Sequence, residues 1–311
     1  MNLYRALAAL GGVVGATAAG NAALARRADD LPAPLPGTER SYRFRGIDVS
    51  YTELGDPGDR TVLLLHGMNA AATSQEFEPI VAGLAAEYHV VAPDFPGFGR
   101  SERPSIAYDA DMYTDFVREF ADDVTPGAIA VASSLSGSYA AIAARETGVF
   151  SKLVLICPTA TTVGIRRPKV RALLRSPLLG TAIFNVLASK PSIRYFNADH
   201  GYYDPENIAE DVVEYEWLSA HQPGARFAPA SFISGFLDPE EPLEQTLADV
   251  DAPVMLVWGR DADITPLDRG RAVAEMADTG LIVFDRAKLL PHVEYPEKFV
   301  EVVSEEVPVK Q

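Results

Sequence analysis

The sequence predicts an α/β fold: a mostly parallel sheet of about eight strands, flanked by helices, with one helical insertion. Three observations carry this. Apolar runs at 61–65, 88–92, 127–132, 152–157, 253–258 and 280–284 are separated, mostly by helical patterns near 76–87, 111–124, 135–147 and 266–277, and a last helix is predicted at 297–306. Continuous runs of Val, Ile and Leu suit strands buried on both faces, the usual condition of a parallel sheet. Nearly a hundred residues, mostly of helical pattern, separate the runs at 152–157 and 253–258. Third, Val131-Ala132-Ser133-Ser134-Leu135-Ser136-Gly137 joins an apolar run to an Ala-rich helical stretch. Small residues at 132 and 136 let a strand turn sharply into a helix with Ser134 at the apex.

The elements follow in order. Residues 6–25 carry no charge and are mostly Ala and Gly. Their length matches the roughly 20 apolar residues of a membrane span. A membrane anchor is expected over residues 1–27, with a cleaved signal segment or a loosely packed helix as alternatives. Arg26 and Arg27 follow it and favour a cytoplasmic domain, an exported or soluble cytoplasmic protein being the alternative. A Pro-rich linker over 28–40 comes next, stiff and extended at Leu31 to Gly37. Tyr42-Arg43-Phe44 and Val49 to Thr52 alternate and predict a hairpin. The core is then expected over 41–158 and 241–311, with a helical cap over 159–240.

Composition narrows the function. The 311 residues include 43 acidic against 27 basic ones, for a net charge of −16. Such a body repels phosphates, so nucleic acid is not an expected partner. Only six of the basic residues are Lys. An acidic, Lys-poor chain resembles proteins of salt-loving archaea, in which surface carboxylates maintain solubility. Cys157 is alone, so no intrachain disulfide is possible, and its apolar surroundings predict a core position. Within the cap, Arg166, Arg167, Lys169, Arg171 and Arg175 are followed by the apolar stretch 178–187. That order suits either a solvated helix face paired with acidic neighbours or an anionic membrane surface. No glycine loop of the phosphate-cradling kind is present, and no cofactor is expected. No metal is expected either, because Asp199, His200 and Asp204 lack a recognised ligand spacing.

Five motifs in order resemble the α/β-hydrolase superfamily. They are His66-Gly67 after the run 61–65, Asp94-Phe95-Pro96-Gly97-Phe98-Gly99-Arg100-Ser101, the turn at Ser134, Val254 to Asp261, and Leu290 to Glu297. The resemblance spans roughly 41–306. It implies that Ser134 is a nucleophile and that the backbone N–H groups of Met68 and Leu135 form an oxyanion hole. It implies that Asp94 buttresses its loop. It also implies an acid three residues after Gly259 and a histidine two residues before Pro291. Those two slots hold Ala262 and Leu289.

A serine needs a base to take its proton, usually a histidine held by a carboxylate. Three arrangements are open. His292 could pair with Asp263 or Asp261. A cap histidine, His200 first and His221 behind it, could act instead. Or the chain could be a non-catalytic or non-hydrolytic descendant that keeps a pocket for binding. The expected activity is hydrolysis of an apolar carbonyl-containing small molecule, ester- or lipid-like, through Ser134, with a membrane surface as a further partner.

Overall fold

The computed structural model describes residues 3–28 and 31–305, with side chains from residue 15 on. Eight strands form one sheet: β1 Thr38–Phe44, β2 Ile47–Leu54, β3 Thr61–Leu65, β4 His89–Pro93, β5 Ile129–Ser133, β6 Lys152–Ile156, β7 Val254–Gly259 and β8 Gly280–Phe284. Their order is β1-β2-β4-β3-β5-β6-β7-β8. β1 and β2 form the predicted hairpin, β2 runs antiparallel to β4, and every other pair is parallel. β5, which ends at the Ser134 turn, lies between β3 and β6.

The period of two explains the continuous apolar runs. Leu63 and Leu65 of β3 enter one core with Phe95, Phe116 and Tyr139. Val62 and Leu64 enter the opposite core with Phe77, Ile80 and Phe299. Each such leucine contributes about 1.5–3 kcal/mol of burial. Helix Ala110–Val124 shows how one layer is fixed. Asp109 caps it by accepting the Met112 N–H at 3.0 Å. Tyr113, Phe116, Val117 and Phe120 recur at helical spacing and are buried against the sheet. Pro126 follows closely and disfavours continuation.

Between β6 and β7 the chain is helical, in helices Pro168–Arg175, Leu179–Leu187, Lys190–Phe196, Glu210–Ala220 and Phe227–Ile233, with a short π-helical turn at Asn197–Gly201. The Pro-rich segment after the first helix does not stand free. Leu31 and Leu35 are buried, Arg100 Nη1 donates to Leu31 O at 2.8 Å, and the Tyr215 hydroxyl donates to Pro32 O at 3.0 Å. Thr38, Glu39 and Arg40, expected as linker, already pair with β2.

The N-terminal helix Leu3–Arg27 rests on the inserted helix Leu179–Leu187. Asn21 Nδ2 donates to Leu178 O at 3.1 Å, and Asn185 Nδ2 donates to Asn21 Oδ1 at 3.0 Å. Among the described residues no single helix is long and apolar enough to cross a membrane; the bent pair Pro168–Arg175 and Leu179–Leu187 meets that test together, across a 98° bend.

Candidate active site

The turn at Ser134 is a strained elbow. Ser134 has φ 55°, a left-handed conformation that L side chains avoid, and it is partly exposed while its neighbours are buried. Backbone bonds hold it there: its N–H donates to Ile156 O at 2.8 Å, and its carbonyl accepts the Gly137 N–H at 3.1 Å and the Thr159 N–H at 3.2 Å. Ser136 stands where a glycine is usual. Its hydroxyl donates to His66 O, which ties the elbow to the loop after β3. His66 is fixed in turn. Its Nε2 accepts the Phe95 N–H at 3.1 Å, so Nδ1 carries the proton and donates to Gly67 O at 2.7 Å. Burial keeps this imidazole below its usual pKa, consistent with the neutral tautomer. Asp94 buttresses its loop, accepting both the Ser74 N–H and hydroxyl and, on its other oxygen, the Arg100 N–H. The N–H groups of Met68 and Leu135 have no hydrogen-bond partner among the described residues.

The two vacated slots have become apolar. Ala262 is buried in a cluster with Cys157, Trp258 and Leu267, and Leu289 packs against that cluster. Burial pushes the Cys157 thiol up to about 12. The loop at 287–288 presses on β7 so closely that a Cβ on Gly259 would lie 1.9 Å from Lys288 O. Lys288 occupies the glycine position of the resemblance. Its ammonium donates to Ala198 O and Asp199 O of the inserted segment. The Leu289 and Leu290 N–H groups donate to His200 O and Gly201 O, and Glu294 accepts the Tyr203 and Lys288 N–H groups. The loop that would carry a catalytic histidine thus clamps the insertion.

The other candidates are not brought together into one site. His292 pairs with neither Asp263 nor Asp261. It is fully buried, and its Nε2 lies 3.1 Å from Glu76 Oε1, in contact but off the line of a hydrogen bond. Asp261 is exposed and has no side-chain partner among the described residues. Asp263 instead meets His200, whose Nδ1 lies 3.3 Å from Asp263 Oδ2 and whose Nε2 lies 3.4 Å from Asp199 Oδ2. Ligand-type atoms of Asp199, His200 and Asp263 lie within 4.8 Å of one another, so the third member of this group is Asp263 and not Asp204. His221 is held by its own helix, Nδ1 lying 2.7 Å from Trp217 O and the ring stacked on Trp217 at 4.4 Å.

Two glutamates were not among the expected residues. Glu76 Oε2 accepts the Gly67 N–H at 2.8 Å. A Cβ on Gly67 would lie 3.3 Å from both Glu76 Oε2 and Ser133 Oγ, and 3.7 Å from Ser134 Cβ, which puts this carboxylate beside the elbow. Burial pushes Glu76 upward, but His292, the Ser133 hydroxyl and the Gly67 N–H outweigh it and hold the carboxyl below its usual range. Glu216, on helix Glu210–Ala220, accepts a hydrogen bond from Asn197 Nδ2 at 2.9 Å. The residue is partly buried. Burial first, and the Glu76 charge besides, raise its pKa to about 7 against the pull of Asn197.

With this geometry stand the likenesses to known proteins. The sequence profile of the Alpha/beta hydrolase family matches residues 62–302. The chain belongs to that family. This α/β-hydrolase is 24% identical over 275 residues to the uncharacterized hydrolase YugF of Bacillus subtilis, covering 86% of this chain and 96% of that one. It is 26% identical over 275 residues to 2-hydroxy-6-oxononadienedioate/2-hydroxy-6-oxononatrienedioate hydrolase 2 of Pseudomonas putida, covering 83% and 90%. Among solved structures, a membrane phospholipase A described as a bacterial virulence factor superposes with a TM-score of 0.66, at 22% identity over 97% of this chain and 95% of that one. The profile match fixes the family, and the structural likeness shows the fold.

Proposed function

We propose that this α/β-hydrolase cleaves an apolar, ester- or lipid-like carbonyl substrate at a membrane surface, with Ser134 as nucleophile. The observation that carries this is the retained strain at Ser134. A left-handed serine costs about 1–3 kcal/mol, and such strain concentrates at functional sites. The N–H groups of Met68 and Leu135, the expected oxyanion donors, have no hydrogen-bond partner among the described residues and so are available for that role. The hydrolase names of the relatives agree with the reaction class.

The membrane part rests on the inserted helices. Leu179 is 55% exposed, Val186 is 70% exposed, and Tyr195 and Phe196 are exposed with them. The N-terminal helix leans on Leu179–Leu187 and so shares that region. The basic run contributes less than its sequence suggests. Arg171 lies 3.4 Å over the Phe236 ring, Arg166 pairs with Glu240, and Arg175 binds Ser105 O and Ile106 O. Apolar exposure therefore carries the reading more than charge does.

One observation favours a non-catalytic descendant: Leu289 and Ala262 belong to a packed apolar cluster, with no charge to orient an imidazole there. Labelling with a fluorophosphonate separates the two. A hydrolase is labelled stoichiometrically, and Ser134→Ala abolishes the label. A binding protein is not labelled within hours at any pH between 6 and 9.

A further inference from the structure

Gly67 joins His66 to Met68, and the peptide groups on either side of it carry four polar atoms. Three are engaged. In the first peptide the Gly67 N–H donates to Glu76 Oε2 at 2.8 Å, and His66 O accepts the Ser136 hydroxyl. In the second, Gly67 O accepts from His66 Nδ1 at 2.7 Å. The fourth, the Met68 N–H, has no hydrogen-bond partner among the described residues. A trans peptide is planar, so its C=O and N–H point in opposite directions. Holding Gly67 O therefore aims the Met68 N–H the other way. Holding both polar atoms of the first peptide keeps Gly67 itself from rotating, a freedom that glycine has more than any other residue.

Glu76 reaches this loop from the short helix Ser74–Phe77. The helix is anchored on its own account: Thr73 Oγ1 accepts the Gln75 N–H at 3.2 Å, and the Ser74 N–H donates to Asp94 Oδ1 at 2.7 Å. The second carboxylate oxygen, Oε1, is buried without a hydrogen bond and lies 3.1 Å from Nε2 of the fully buried His292. That leaves Oε2 committed to the loop. The space around Gly67 is closed as well. A Cβ there would lie 3.3 Å from Glu76 Oε2, 3.3 Å from Ser133 Oγ and 3.7 Å from Ser134 Cβ. The carboxylate, the end of β5 and the elbow thus meet around one α-carbon. A hydrogen bond to an ionised acceptor is about twice as strong as one between neutral groups, which suits a contact that must hold a loop still.

We propose that Glu76 is a positioning residue for the reaction at Ser134: by holding the Gly67 N–H it fixes the peptide that precedes the Met68 donor and keeps that donor aimed at the oxyanion. This rests on the hydrolase reading above. Glu76 acts through Gly67 and not on the substrate. The oxyanion forms only when Ser134 Oγ bonds to the carbonyl carbon. A misaimed donor is therefore felt in the tetrahedral state and not in substrate binding.

The test uses the full chain and a short-chain p-nitrophenyl ester, with kcat expressed per folded molecule from an unfolding curve of each variant. Glu76→Gln and Glu76→Met both remove the charge at similar length, but only Gln keeps an oxygen for the Gly67 N–H. Glu76→Met is expected to lower kcat about ten- to a hundredfold with KM within about twofold of wild type, while Glu76→Gln keeps kcat within about fivefold. Glu76→Asp keeps the charge but shortens the reach, and lowers kcat about tenfold; it decides the matter where Glu76→Met does not fold. A role confined to stability shifts the unfolding midpoints and leaves kcat per folded molecule unchanged in all three variants. That result, or a raised KM at constant kcat, overturns the positioning role and leaves the hydrolase reading standing as long as Ser134→Ala is inert. Wild type without turnover, or turnover that survives Ser134→Ala, overturns the hydrolase reading and the role of Glu76 together.

Discussion

His292 Nε2 lies 3.1 Å from Glu76 Oε1, and this glutamate, not Asp261 or Asp263, is its carboxylate partner. The same glutamate accepts the Gly67 N–H on its other oxygen, so one side chain joins the short helix Pro291–Glu294 to the loop after β3. Removing one member of such a pair leaves the other buried and unmatched. Glu76→Ala is expected to cost about 3 kcal/mol in chemical denaturation at pH 7. The sign with pH follows from the lowered carboxyl. Its contribution is fully present above the usual carboxylate range and is lost as pH falls through the lowered folded value. The stability gap between wild type and Glu76→Gln should therefore narrow on going from pH 6 toward pH 3. A gap that is constant with pH would show that the pairing is not ionic.

The parallel part of the sheet was legible because most of its strands announced themselves twice, by an apolar run and by a helix after it. Predicted and observed strands differ by two residues at most at 61–65, 89–93, 129–133 and 254–259. The elbow was legible too, since only small residues at 132 and 136 permit it. The carboxylate beside it, Glu76, was not, nor was Glu216 of the inserted helix. Glu76 and Glu216 each sit in an amphipathic segment rich in acidic residues, and nothing local marks them. A weak signal existed: Glu76 is in phase with buried Ile80 and Leu84, and Glu216 with Val213 and Ala220. A carboxylate on a buried stripe needs a partner, but only the fold says which. The His200–Asp263 contact was equally out of reach, because it joins the insertion to the loop after β7.

Salt dependence is expected from the net charge of −16. At low ionic strength the excess carboxylates repel one another, and at 1 M salt the screening length falls to about 3 Å. The purified protein is expected to gain cooperative structure between about 0.1 and 2 M KCl, followed by circular dichroism. Full cooperative folding in dilute buffer would remove the halophilic reading.

Membrane association should depend on the N-terminal helix and on the apolar inserted surface together. The full chain is expected to sediment with vesicles, and a chain lacking residues 1–27 to remain mostly in solution while keeping Leu31 and Leu35 packed. Leu179→Asp with Val186→Asp should weaken any residual binding without unfolding the protein, because both side chains are exposed. Full-length protein that stays in the supernatant at low and high salt would exclude a membrane role.

The vacated slots offer the sharpest contrast. Leu289→His alone sets an imidazole against Cys157, Trp258 and Ala262, with no carboxylate to orient it. That variant should lose about 1–3 kcal/mol of stability and gain little reactivity, since a polar ring is buried without a partner. Adding Ala262→Asp supplies the partner. The double variant is expected to label with a fluorophosphonate at least about a hundredfold faster than Leu289→His, because an oriented imidazole replaces a misoriented one. Equal rates for the single and double variants would mean that the loop clamped by Lys288 no longer lets residue 289 reach Ser134, and the loss of the triad would be one of backbone path as well as of side chains.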